Sequence, residues 1–236
     1  ESGSVWEVVP WIAGKSASTL PLNPAMVSGI TELVGSFHQA GMNYSPDASS
    51  VIDRRHSDTW IPEMLARRQK VKEAEDVGFG EAHIDALVAE LSRLSEYVIP
   101  QLTSEKFALL EDTLPSSVIH ADLSFDHILF DGNVYQMIDF DRMRVGKRLV
   151  DIERLITESS QFDPKLGNVA ADEYRSRFGL SASEEEVLPL FIAYQRIRRA
   201  YWRAERLSEN PVLMSNEQEH FKNELALAVS YLGQNF

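Results

Sequence analysis

At 236 residues with 44% hydrophobic content, the chain is long enough to bury a sizeable core and reads as a single domain. Acidic residues outnumber Lys and Arg by 36 to 23, and the formal charge of -13 argues against nucleic acid, whose phosphates are normally met by a basic face. The absence of cysteine excludes a disulfide framework and fits a reducing cytoplasm, and without a long apolar run or a signal peptide no membrane partner is expected.

Glu1-Ser2-Gly3-Ser4 resembles a linker or a cut end, and Val5 to Gly14 reads as a β-branched strand running into a Pro and Gly turn. Met26, Ile30, Leu33, Val34 and Phe37 recur at helical spacing and stop before Gly41, which predicts an amphipathic helix. A second helix is expected over Trp60 to Lys72, with Arg67, Arg68, Lys70 and Lys72 forming a solvated basic face. Ile84, Leu87, Val88, Leu91 and Leu94 mark a third, expected to pack under the Asp122 loop.

The stretch from Val118 to Asp151 carries the chemistry. Ile128, Leu129 and Phe130 are apolar, Asp131-Gly132-Asn133 is a tight-turn signal, and Val134 to Ile138 mixes β-branched and apolar residues, so a β-hairpin is predicted. A hairpin brings its outer ends together, making His127, which enters the first strand, a neighbour of Asp139, which leaves the second. Phosphoryl transfer from a nucleotide needs one carboxylate to orient the acceptor hydroxyl and a pair of ligands for the ion that neutralises the phosphates. Asp122 fits the first role, and His127 with Asp139 fits the second. Asp126, Asp131 and Asp141 read as solvated turn residues, whereas Asp151 sits where a helix start would supply backbone N–H donors.

Further on, Ser183 with Glu186 forms a capping box that opens a long helix through Leu190, Tyr194, Ile197 and Tyr201 to about Leu207. Pro211 separates it from a last helix over roughly Asn216 to Leu232. His38, His56, His83 and His220 lack partners at metal-ligand spacing and read as structural or exposed.

The His-x-Asp loop, hairpin and Ile138-Asp139-Phe140 step resemble the catalytic core of the aminoglycoside phosphotransferase and choline kinase-like family, distant relatives of the protein kinases. The resemblance implies a mainly helical α+β fold, the large C-terminal lobe of a kinase with a small catalytic hairpin region. It makes Asp122 the catalytic residue, His120 and Asp151 the supports of its loop, and Asp139 a metal ligand. His127 stands where the family usually has Asn, and Ala121 where it usually has Gly. An imidazole suits transition ions better than Mg2+, so Mg2+ is the expected ion and Mn2+ an alternative.

The same resemblance makes residues 1–14 a linker and hinge strand, with the Pro10 carbonyl and the Ile12 N–H contacting the base of ATP or GTP. It makes 15–236 the large lobe, with about 41–80 and 183–236 as helical acceptor-binding parts. No GxGxxG or GxxxxGK[ST] loop and no strand lysine precede Val5, so the small lobe is expected to be missing from this chain, and a separate small lobe would be a partner. The implied activity is transfer of the terminal nucleotide phosphate to a hydroxyl of a small, cationic acceptor such as an aminoglycoside. Glu153, Tyr194, Tyr201, Trp202 and Glu205 are the candidate acceptor contacts. Two alternatives remain at this point: a non-catalytic binding module, and a metal hydrolase built on His120, Asp122, His127 and Asp139.

Overall fold

A computed structural model describes residues 12–42, 44, 56–75, 82–209 and 214–233. Helices dominate, as expected, and the strands are short. In chain order they are β1 (Lys15–Ser16), α1 (Pro24–Gly41), α2 (His56–Glu75), α3 (Ala82–Leu102), α4 (Glu105–Thr113), β2 (Ser116–Ile119), β3 (Ile128–Phe130), β4 (Tyr135–Met137), β5 (Arg144–Lys147), α5 (Leu149–Phe162), α6 (Pro164–Phe178), α7 (Ala182–Glu209) and α8 (Met214–Gly233).

Local chemistry fixes several helix starts. Asn23 caps α1, its side chain accepting from the Met26 N–H at 3.1 Å, with Pro24 in the first turn where no N–H is needed. The capping box of α7 lies two residues earlier than Ser183 and Glu186. Ser181 Oγ accepts from the Glu184 N–H at 3.2 Å, and the Glu184 carboxylate accepts from the Ser181 N–H at 2.8 Å. Glu186 instead pairs with Lys106 at 2.6 Å.

Two helical groups flank the site. In one, α1 and α5 pack on α6 and α1 also covers β2; in the other, α7 is surrounded by α2, α3 and α8. The third helix, α3, packs chiefly on α7 and α8, and it is α5 that underlies the Asp122 loop. Ile152, Leu155 and Ile156 of α5 are fully buried, each worth about 1.5–3 kcal/mol on transfer from water, so this helix is firmly seated. Gly41 lets α1 lie against β2, since a Cβ there would come within 2.8 Å of the Val118 backbone nitrogen.

Two small antiparallel sheets complete the fold. One has the order β1-β3-β4 and includes the hairpin, with Ile128 opposite Met137 and Phe130 opposite Tyr135; the other pairs β2 with β5. Asp131 shapes the hairpin turn by accepting from the Asn133 and Val134 N–H groups at 2.8 and 2.9 Å, and these bonds hold its carboxyl below the usual range. No helix of the described residues is long and apolar enough to cross a membrane.

Candidate active site

The loop carrying Asp122 leaves β2 at Ile119 and is gripped at once by α5. Asp151 is buried, and its two oxygens accept from the His120 N–H at 2.6 Å and the Ala121 N–H at 2.9 Å. Its Oδ2 also faces His38 Nε2 at 3.2 Å, while His38 Nδ1 meets the Tyr174 hydroxyl at 2.8 Å. A fully buried carboxylate is tolerated because every side of it finds a donor. Burial raises the Tyr174 hydroxyl well above its ordinary range, so it stays protonated and donates. Ala121 holds φ at 65°, the left-handed region where the family pattern has Gly.

The hairpin then delivers the second half of the site. His127 Nε2 and Asp139 Oδ2 stand 3.2 Å apart, although twelve residues separate them in sequence. His127 Nδ1 lies 2.9 Å from the Asp122 carbonyl oxygen, which assigns the proton to Nδ1 and leaves Nε2 facing Asp139. His120 is used differently. Its Nε2 donates to the Ile138 carbonyl at 2.8 Å, tying the loop to the strand before Asp139, and its ring packs on Phe140 and His127. Asp139 also takes a left-handed backbone, with φ at 63°.

Asp122 presents its carboxylate outward, with 40% of the side chain exposed and Arg142 Nε at 3.5 Å from Oδ2. Cis ligands of a small octahedral cation lie about 3 Å apart, so an oxygen of Asp139 and Nε2 of His127 suit one shared ion. Among the described residues no group of three or more His, Cys, Asp or Glu side chains converges on a metal site, so further ligands would come from water or phosphate.

Other expectations need correction. Glu153 is buried and ion-paired with Arg196 and Arg199, and Tyr201 is buried with its hydroxyl 2.9 Å from Ser95 Oγ, so neither offers an acceptor contact. Tyr194 is likewise in the core. Burial would raise Glu205, yet the hydrogen bond from Lys70 and the charge of Arg67 carry it below its ordinary value, so two cations already satisfy it. Trp202 alone is exposed, at 39%, and the Arg206 guanidinium lies 4.7 Å from its ring centroid. The spacing that suggested a pocket is the core-facing stripe of α7.

Asp126 is exposed, as expected, and accepts from the Ser18 hydroxyl after β1, while Ser16 Oγ donates to the Phe125 carbonyl at 3.0 Å. On the basic face of α2, Arg67 pairs with Glu63 and Glu205, Arg68 with Glu96, and Lys70 with Glu205. Of the hinge residues, Pro10 lies outside the described residues and Ile12 is the first of them, half-buried. Sequence reasoning missed Arg154, whose Nε donates to the Leu123 carbonyl at 2.8 Å, and Arg142; nothing in local spacing pointed to either.

Comparison with known proteins decides the family. The sequence model of the phosphotransferase enzyme family, APH, matches residues 1–190. The chain belongs to the phosphotransferase enzyme family. No curated protein matches the sequence of this phosphotransferase-family chain. Among solved structures it is similar to an aminoglycoside phosphotransferase from Alicyclobacillus acidocaldarius, with TM-score 0.64 and 16% identity over 95% of this chain and 70% of that one. It is similar to a choline kinase from Cryptosporidium parvum Iowa II, with TM-score 0.61 and 13% identity over 95% of this chain and 69% of that one. A third is a spectinomycin phosphotransferase solved with ADP and spectinomycin, with TM-score 0.59 and 14% identity over 94% of this chain and 70% of that one. These likenesses show a kinase-like fold, and the phosphotransferase-family chain spans roughly two thirds of the length of each structure.

Proposed function

We propose that this phosphotransferase-family protein is a small-molecule kinase that moves the terminal phosphate of ATP or GTP to a hydroxyl group. One observation carries the reading: Asp122 lies on the same short loop and hairpin that set His127 Nε2 and Asp139 Oδ2 at 3.2 Å. Asp122 orients the acceptor hydroxyl for in-line attack and takes its proton late, since a loose transition state demands little base strength. His127 and Asp139 would hold the divalent ion, which neutralises charge on the phosphates when bound. Arg142 moves aside as the acceptor enters, a small demand because an exposed pair of this kind is worth about 0–1 kcal/mol. Pro10 and Ile12 remain the proposed backbone contacts to the base.

The acceptor is a small hydroxyl compound of the kind handled by the structural neighbours, which include aminoglycoside, choline and aminopropanol kinases. Selection for a cation draws no support from Glu153, Tyr201 or Glu205, which are already engaged within the fold. The hydrolase alternative is disfavoured because catalytic metal sites of that kind take three protein ligands, and among the described residues no group of three or more His, Cys, Asp or Glu side chains converges. A thermal-shift panel of nucleotides with Mg2+ or Mn2+, followed by transfer assays against hydroxyl acceptors, tests the proposal. Nucleotide binding that depends on Asp139 supports it; no nucleotide response with either ion counts against it.

A further inference from the structure

The face of α5 that bears Asp151 continues toward the other end of the Asp122 loop. Asp151, Arg154 and Glu158 are spaced i, i+3 and i+7, so they form one stripe along the helix. The first two meet backbone groups of the loop in matching order. Asp151 accepts from the N–H groups of His120 and Ala121, and Arg154 Nε donates to the Leu123 carbonyl at 2.8 Å. Arg154 and Glu158 also pair with each other at 3.5 Å, with side chains 23% and 15% exposed.

Asp122 sits in the gap of this pattern. Its carboxylate meets only the exposed Arg142 among the ion pairs of the described residues, so its aim is set by the peptide groups on either side. On the upstream side these are fixed by Asp151 and by the left-handed turn at Ala121. On the downstream side His127 Nδ1 donates to the Asp122 carbonyl at 2.9 Å, and Arg154 takes the next one, that of Leu123.

We infer that Arg154, braced by Glu158, is a positioning residue that fixes the downstream half of the Asp122 loop and so sets the direction of the Asp122 carboxylate. The inference rests on the phosphotransfer reading for its kinetic consequence, but its structural part stands separately. A displacement near 1 Å at a reacting group can lower a rate by about 100-fold, so a lost clamp acts on kcat. Nucleotide binding involves the hinge and the metal ligands, so KM for ATP stays as it was. A merely structural arginine would behave otherwise, lowering stability and leaving kcat per folded molecule unchanged.

The test compares Arg154→Met and Arg154→Lys with the parent in the full-length protein, using Mg2+ and ATP. Phosphate transfer is measured to water and to any acceptor found, and amide hydrogen exchange is followed over residues 120–127. For Arg154→Met the expected result is a 10- to 100-fold loss of kcat, KM for ATP within twofold, and at least tenfold faster exchange in the loop. Arg154→Lys recovers part of both, since its ammonium can still donate to the Leu123 carbonyl, and it serves if Arg154→Met does not fold. Unchanged loop exchange, or parental kcat in a folded variant, overturns the inference. If the parent transfers no phosphate to any acceptor, the phosphotransfer reading fails, and the exchange result alone decides whether Arg154 clamps the loop.

Discussion

His38 Nε2 lies 3.2 Å from Asp151 Oδ2, and this contact joins α1 to the carboxylate that holds the Asp122 loop. With Tyr174 on the other ring nitrogen, the line from α6 through α1 to the loop has a donor for every acceptor. Asp151→Asn replaces an acceptor oxygen with an N–H that must face another donor in a buried site. The expected loss is about 2–4 kcal/mol of folding stability, read from urea denaturation. A loss below the error of the measurement would mean that the network is not a stabilising one.

Ala121 holds φ at 65° against the ordinary preference of an L-residue. Relief of that strain by Ala121→Gly is offset by the greater chain entropy of Gly in the unfolded state, so stability should stay within about 1 kcal/mol of the parent. Ala121→Val, with a branched Cβ, should cost about 1–3 kcal/mol and reduce turnover. Thermal denaturation of both variants checks the difference, and equal stability of Val and Gly at this position would contradict it.

In the proposed site His127 would give the ion a nitrogen ligand. His127→Asn substitutes an amide oxygen, which favours Mg2+ over Mn2+, so the ratio of Mn2+ to Mg2+ affinity in the presence of ATP should fall about tenfold. Asp139→Ala should weaken both ions. Calorimetric titration of each ion with nucleotide measures these affinities, and an unchanged ratio in His127→Asn would remove the imidazole from the ligand set.

Glu158 should impose a pH dependence on stability. Burial lifts its carboxyl to about 7; Arg196 on α7 and the Phe125 N–H oppose the rise, and Glu224 on α8 and Glu153 on α5 add to it. Arg154 faces it from one turn earlier on α5. The folded pKa lies above the unfolded carboxyl value, so the folded state holds this proton more tightly. The resulting stability is fully present below the unfolded value of 4.5 and is lost as pH rises through about 7. The decline from this group is on the order of 3 kcal/mol, and Glu158→Gln should flatten it. Urea denaturation between pH 5 and 8 tests this, with identical slopes in variant and parent as the contrary result.

The hairpin was legible in the sequence because its information is local. Asp131-Gly132-Asn133 makes the turn, and the turn places His127 beside Asp139. The helices α1, α3 and α7 were legible through long apolar stripes, whereas α4 and α6 are shorter and lack so clear a pattern. The grip of Arg154 on Leu123 and of His38 on Asp151 spans 31 and 113 positions, distances at which spacing carries no signal. The α7 residues misled for a physical reason. Tyr194 and Tyr201 recur at helical period because they pack inward, and Glu153 is a core partner of Arg196.

The most direct test of the account is phosphate transfer from γ-labelled ATP, with Mg2+ or Mn2+, to a panel of hydroxyl acceptors by the full-length parent protein and by Asp122→Ala in the same full-length protein. Transfer by the parent is predicted to fall at least 100-fold in Asp122→Ala, while its fold and its nucleotide affinity remain those of the parent. Parental transfer by Asp122→Ala would contradict the assignment of Asp122 and, with it, the proposed site.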